Sequence, residues 1–89
     1  MDHYSLTDEA TVSRIADTTP RAMSAYFLCL HKADLEGRCE FSRDEIINEK
    51  VRSWTRFKND IRALSGLFLL NFLDQGDLIK VELIPQVMQ

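Results

Sequence analysis

Eighty-nine residues, 45% hydrophobic and 28% charged, are enough for one globular domain with a modest core, and they exclude a disordered or fibrous chain. With 14 acidic against 11 basic side chains the net charge is −3, which excludes a globally basic nucleic-acid binder. Residues 43–62 nevertheless carry six Arg/Lys against four Asp/Glu, so a local basic surface stays open. Met1 to Ser5 has neither the basic nor the apolar region of a signal peptide, and the longest apolar run, 67–73, is too short to span a membrane. Two cysteines, Cys29 and Cys39, make no disulfide framework, and a cytoplasmic protein is expected.

In chain order, Ser5 and Asp8 have the spacing of a helix start, and a polar helix is predicted over 8–17 as a flank (1–18) on the domain. Thr19 and Pro20 open a second helix, 20–34, because Pro suits the first helical turn. It is apolar on every face (Ala22, Met23, Ala25, Tyr26, Phe27, Leu28, Cys29, Leu30), so it is expected to be covered on most sides. After Gly37 a short strand is predicted over 38–41. Ser42 and Glu45 form a capping box that starts a helix over 43–50, with Ile46, Ile47 and Val51 offered to the core.

The helix over 53–65 repeats Trp54, Phe57, Ile61 and Leu64 at steps of three, four and three, one buried stripe. Its other face carries Arg52, Thr55, Arg56, Lys58, Asn59 and Arg62, with Arg56 and Asp60 as an i,i+4 pair, and Gly66 is the expected left-handed residue at its end. A hairpin, 67–73 with 78–84, follows around the turn of Asp74 to Asp77. Alternation sets Phe68, Leu70 and Phe72 on the core face opposite Ile79, Val81 and Leu83. Leu67, Leu69, Leu73, Leu78 and Ile84 then face outward with Asn71, Lys80 and Glu82. A single helix over 54–73 is the alternative, but interior Gly66 costs it about 1 kcal/mol and the strand 78–84 loses its partner.

Helix, turn, helix, hairpin is the order of a winged helix-turn-helix. The stretch from Thr19 to Leu83 resembles that superfamily, as found in plasmid and phage replication proteins and small bacterial regulators. The likeness is carried by Thr19–Pro20 opening an apolar helix, by the segment from Ala33 to Glu45, by the polar helix ending Ile61, Arg62, Ala63, Leu64, by Gly66, and by the hairpin as wing. The resemblance implies an α+β fold in a single domain, 1–89, with its core over 19–84 and a tail over 85–89. It also implies double-stranded DNA binding by a transcriptional or replication regulator, with helix 53–65 in the major groove. Arg56, Asn59 and Arg62 would then meet base edges, and Arg52, Ser53, Thr55 and Lys58 phosphates.

Two acidic residues, Asp74 and Asp77, stand where a DNA-contacting wing carries Arg or Lys, and acidic tips repel phosphate. The second reading is therefore an inhibitor or adaptor that uses its acidic wing and the outward leucines Leu67, Leu69, Leu73, Leu78 and Ile84, without DNA. The cover for that face would be helix 8–17, a second copy in a homodimer, or a foreign protein. No enzyme, metal or cofactor is read from the chain. Cys29, His31 and Cys39 lack the spacing of a zinc site, nothing sets His31, Asp34 and Cys39 as a catalytic triad, and the three glycines form no phosphate loop. Trp54 continues a buried stripe and reads as a core anchor.

Overall fold

The computed structural model describes residues 9–48 and 53–85. Four α-helices and a three-stranded antiparallel sheet make an α+β architecture: α1 Glu9–Thr18, α2 Met23–Lys32, β1 Arg38–Ser42, α3 Arg43–Asn48, α4 Trp54–Gly66, β2 Leu70–Asp74 and β3 Leu78–Leu83. The sheet order is β1-β3-β2, so the last strand lies between the other two. Helices cover one face of the sheet, and Cys39, Phe41, Leu70, Ile79, Val81 and Leu83 fill the core from it. The other face is open, with Arg38, Glu40, Asn71, Leu73, Lys80 and Glu82 exposed.

Thr11 and Ile15, four apart, are the buried side of α1. Pro20 opens a 3₁₀ turn, Pro20–Ala22, that runs directly into α2. The core stripe of this unit is Ala22, Ala25, Tyr26 and Cys29. The expectation that α2 is covered on most sides is corrected: Phe27 is 42% exposed and His31 is exposed. A domain this small has too few elements to wrap a central helix, so one face of α2 stays at the surface.

The capping box forms as the sequence predicts. The Glu45 N–H donates to Ser42 Oγ at 3.1 Å and the Ser42 N–H to Glu45 Oε1 at 3.3 Å. Its helix buries Ile46, but Ile47, expected in the core, is half exposed, and Val51 lies outside the described residues. In α4 the stripe of Trp54, Phe57, Ile61 and Leu64 is buried, and it includes Asp60, which was expected on the solvent side beside Arg56. Position 60 lies three residues from Phe57 and four from Leu64, so it belongs to the buried face.

The end of α4 is the largest departure from the sequence reading. Gly66 is still helical, and the left-handed residue is Phe68, with φ of 62°. The Phe68 N–H donates to Ser65 O at 2.9 Å and the Leu69 N–H to Leu64 O at 3.2 Å, the bond pair of a Schellman motif. That motif brings Leu69 against Leu64, so Leu69 is fully buried and Phe68, expected inward, is 76% exposed. Strand β2 starts only at Leu70, which is also buried, and alternation holds from there. Holding an aromatic residue left-handed costs about 1–2 kcal/mol, less than burying the two leucines returns. Phe68→Gly is accordingly expected to raise the thermal midpoint by a few degrees, roughly 0.5–1 kcal/mol after the added chain entropy of glycine. A lower midpoint in a melting curve would show that the ring contributes more than its backbone costs.

Candidate nucleic-acid interface

Helix α4 is fixed at both ends, which is what gives its outer face a definite position. At its start Ser53 Oγ accepts the Arg56 N–H at 3.2 Å, an N-cap. One residue on, the Trp54 indole N–H donates to Gly76 O at 2.8 Å and ties the helix to the hairpin turn. Gly76 has φ of +89°, which its lack of a side chain allows, and its N–H donates to Asp74 Oδ1 at 2.9 Å. The turn and the helix start are therefore one connected unit.

The exposed face of α4 carries Thr55, Arg56, Asn59 and Arg62, with Ser53 at its start. These lie at i, i+1, i+4 and i+7 from Thr55, a single stripe. Arg62 donates from Nη1 to Asn59 Oδ1 at 3.0 Å and from Nη2 to Asp74 Oδ2 at 3.4 Å. Lys58 is only partly exposed. Its ammonium pairs with Asp74 at 3.1 Å, reaches Gly76 O at 3.4 Å and lies 5.7 Å from the centre of the Trp54 ring. Asp74 thus holds two of the cations assigned to DNA from the sequence. Its carboxyl is kept below the ordinary carboxylate range, chiefly by the Gly76 N–H, then by the hydrogen bond and charge of Lys58 and the charge of Arg62. Arg52 lies outside the described residues.

The leucine face expected on the hairpin is corrected in part. Leu69 is core, Leu67, Leu78 and Ile84 are half-buried, and Leu73 alone of the five is exposed, at 55%. Arg14 of α1 donates to the Leu67 carbonyl, so α1 reaches this end of the hairpin. Sequence reasoning left open whether the acidic wing closes over the basic stripe, and Asp74 does so; it missed Phe68 as an exposed aromatic. A signal for Asp74 was present, because period two places it on the same side as Leu70 and Phe72, toward the helices.

Among the described residues no cluster of three or more His, Cys, Asp or Glu could hold a metal ion, and no helix is long and apolar enough to cross a membrane. Cys29 is buried while His31 is exposed, so the two do not share an environment. No protein-family model, curated protein or solved structure matches this chain.

Proposed function

We propose that the chain is a winged helix-turn-helix domain that binds double-stranded DNA as a small regulator, with α4 entering the major groove. The observation that carries the reading is the connectivity. Strand β1 leads into the helix pair α3–α4, then into a hairpin whose second strand inserts beside β1. That order supports one helix with a buried side and a polar open side next to a hairpin turn. The open side has the residue types for groove contacts. Arg56 and Arg62 suit guanine and Asn59 suits adenine, while Thr55 and the capping Ser53 stand near the helix start, where phosphates would pass. Lys58, clasped by Asp74, is a weaker phosphate ligand than its charge suggests.

The test is fluorescence anisotropy on duplex DNA, first of random sequence at low salt and then on a selected site. Arg56→Ala is expected to lose about 1–3 kcal/mol, or roughly five- to 150-fold, on the selected site and much less on random duplex. An equal loss on both would remove Arg56 as a base reader.

A second reading is supported by the Asp74 clasp together with exposed Leu73 and Phe68. An acidic wing that neutralises the helix beside it suits a protein partner or a second copy better than phosphate. Absence of duplex binding at low salt would favour that reading.

A further inference from the structure

The two edges of the sheet are finished differently. With the order β1-β3-β2, both β1 and β2 are edge strands, and each turns one row of backbone groups toward β3 and one row away. The flanking bonds fix which residues do which. The Leu83 N–H donates to Gly37 O and the Arg43 N–H to Asp77 O, each at 2.8 Å, so Cys39 and Phe41 bond to β3. The Ile84 N–H donates to Leu69 O at 2.9 Å and the Gln75 N–H to Leu78 O at 2.8 Å, so Asn71 and Leu73 bond to β3 from the other side. Arg38, Glu40 and Ser42 therefore point their backbone groups off one edge, and Leu70, Phe72 and Asp74 off the other.

The β1 edge is closed. The Arg38 N–H donates to Asp34 Oδ1 and Arg38 O accepts the Asp34 N–H, both at 3.0 Å, while the Ser42 N–H donates to Glu45 Oε1 in the capping box. The charged side chains of Arg38 and Glu40 guard what is left. Strand β2 has no such protection. Among the described residues the backbone groups of Phe72 and Asp74 have no hydrogen-bond partner, and the strand contains no Pro, Lys or Arg. Leu70 is fully buried, so the accessible edge runs from Phe72 to Asp74, with Leu73 between them exposed on the open face.

We propose that β2 pairs antiparallel with β2 of a second copy of this chain, joining the two sheets about a two-fold axis through Leu73. Phe72 then lies opposite Asp74 of the second copy, and their N–H and C=O groups exchange hydrogen bonds; the axis repeats the exchange. Leu73 meets Leu73 of the second copy in the closer kind of antiparallel pair, with Cα atoms about 4.5 Å apart, and each covers the other. The occupant is another copy because this edge is its own complement in donors, acceptors and apolar surface. Charge agrees with that choice. The one ionised side chain of β2, Asp74, is already paired with Lys58 at 3.1 Å and Arg62 at 3.4 Å, so two copies bring no uncompensated like charges together. The contact is isologous and the β1 edge is closed, so growth stops at two. A short strand edge makes a weak dimer, with a Kd on the order of 100 µM. The pairing goes beyond the DNA reading and does not depend on it.

The experiment is sedimentation equilibrium of the full chain from about 10 µM to about 1 mM, where monomer should give way to dimer and nothing larger. Leu73→Asp sets two carboxylates against each other on the axis and should weaken the dimer at least about tenfold. Mild oxidation of Leu73→Cys, which adds no charge, should give a disulfide-linked dimer, because the Cα separation on the axis suits that bond. Leu35→Cys, at a site 84% exposed and far from the axis in sequence, should cross-link at least about tenfold more slowly. A chain monomeric up to about 1 mM, a dimer that Leu73→Asp leaves intact, species beyond the dimer, or equal cross-linking from positions 73 and 35 would each overturn the proposal.

Discussion

Leu69→Asp is expected to leave the chain unfolded at 25 °C, while Leu73→Asp folds with a midpoint close to that of the parent. The two leucines lie four residues apart on what the sequence presents as one face, yet Leu69 is 0% exposed and Leu73 is 55% exposed. Removing a buried leucine side chain costs about 2–5 kcal/mol, and an unpaired carboxylate in its place adds several more. A domain of this size has roughly 5–10 kcal/mol in total, so the sum exceeds what the fold holds. At position 73 the new carboxylate stays in solvent across from Lys80, its partner in the β2–β3 register, and an opposite-charge cross-strand pair is neutral to favourable. Circular dichroism with thermal melting decides between them. A folded Leu69→Asp would mean that the turn after α4 does not bury this residue. As a graded control, Leu69→Ala should fold with a midpoint lowered by roughly 10–25 °C.

That contrast also shows what was legible in the sequence. Features set by neighbours within four residues were read correctly: the Ser42–Glu45 capping box, the stripe of Trp54, Phe57, Ile61 and Leu64, and the inward set of Ile79, Val81 and Leu83. Each depends on one period or one local hydrogen-bond pattern. The hairpin's first strand failed because two periods meet there. Leu69 obeys the helix termination, through its N–H to Leu64 O, and only from Leu70 does the period of two begin. With a leucine or phenylalanine at every position from 67 to 70, composition could not mark the switch. Gly66 looked like the helix stop, but two residues of further travel put Leu69 and Leu70 in the core, and burial outweighed the preference of glycine for a left-handed backbone.

The candidate interface was legible as a set of residues and illegible as a circuit. Thr55, Arg56, Asn59 and Arg62 do share an exposed stripe. Their electrostatic state depends on Asp74, which is 16 residues from Lys58 and 12 from Arg62, and no short-range pattern encodes such a pairing.

The Asp74 clasp turns the DNA reading into a sharp expectation. Asp74→Asn should bind random-sequence duplex about tenfold more tightly at low salt, with a salt dependence steeper by about one to two counterions. The amide oxygen can still accept the Gly76 N–H, so the turn survives, while the charge that pairs Lys58 and Arg62 is gone. Lys58 and Asp74 are only 20% and 24% exposed, so losing their pairing should lower the thermal midpoint by a few degrees while the chain stays folded. The sign of the pH effect follows from the lowered carboxyl. A depressed folded-state value keeps Asp74 charged above the ordinary carboxylate range, and the clasp is lost only as pH falls through the lowered value. Wild-type affinity should therefore gain nothing from opening of the clasp between about pH 7 and about pH 5. An affinity that falls in Asp74→Asn, most of all on a selected site, would mean that Asp74 orients Arg62 toward the groove instead of competing for it. If neither wild type nor variant binds duplex DNA, the DNA reading fails, and Asp74 and the exposed Leu73 and Phe68 become the residues to probe, each by itself, for a protein partner.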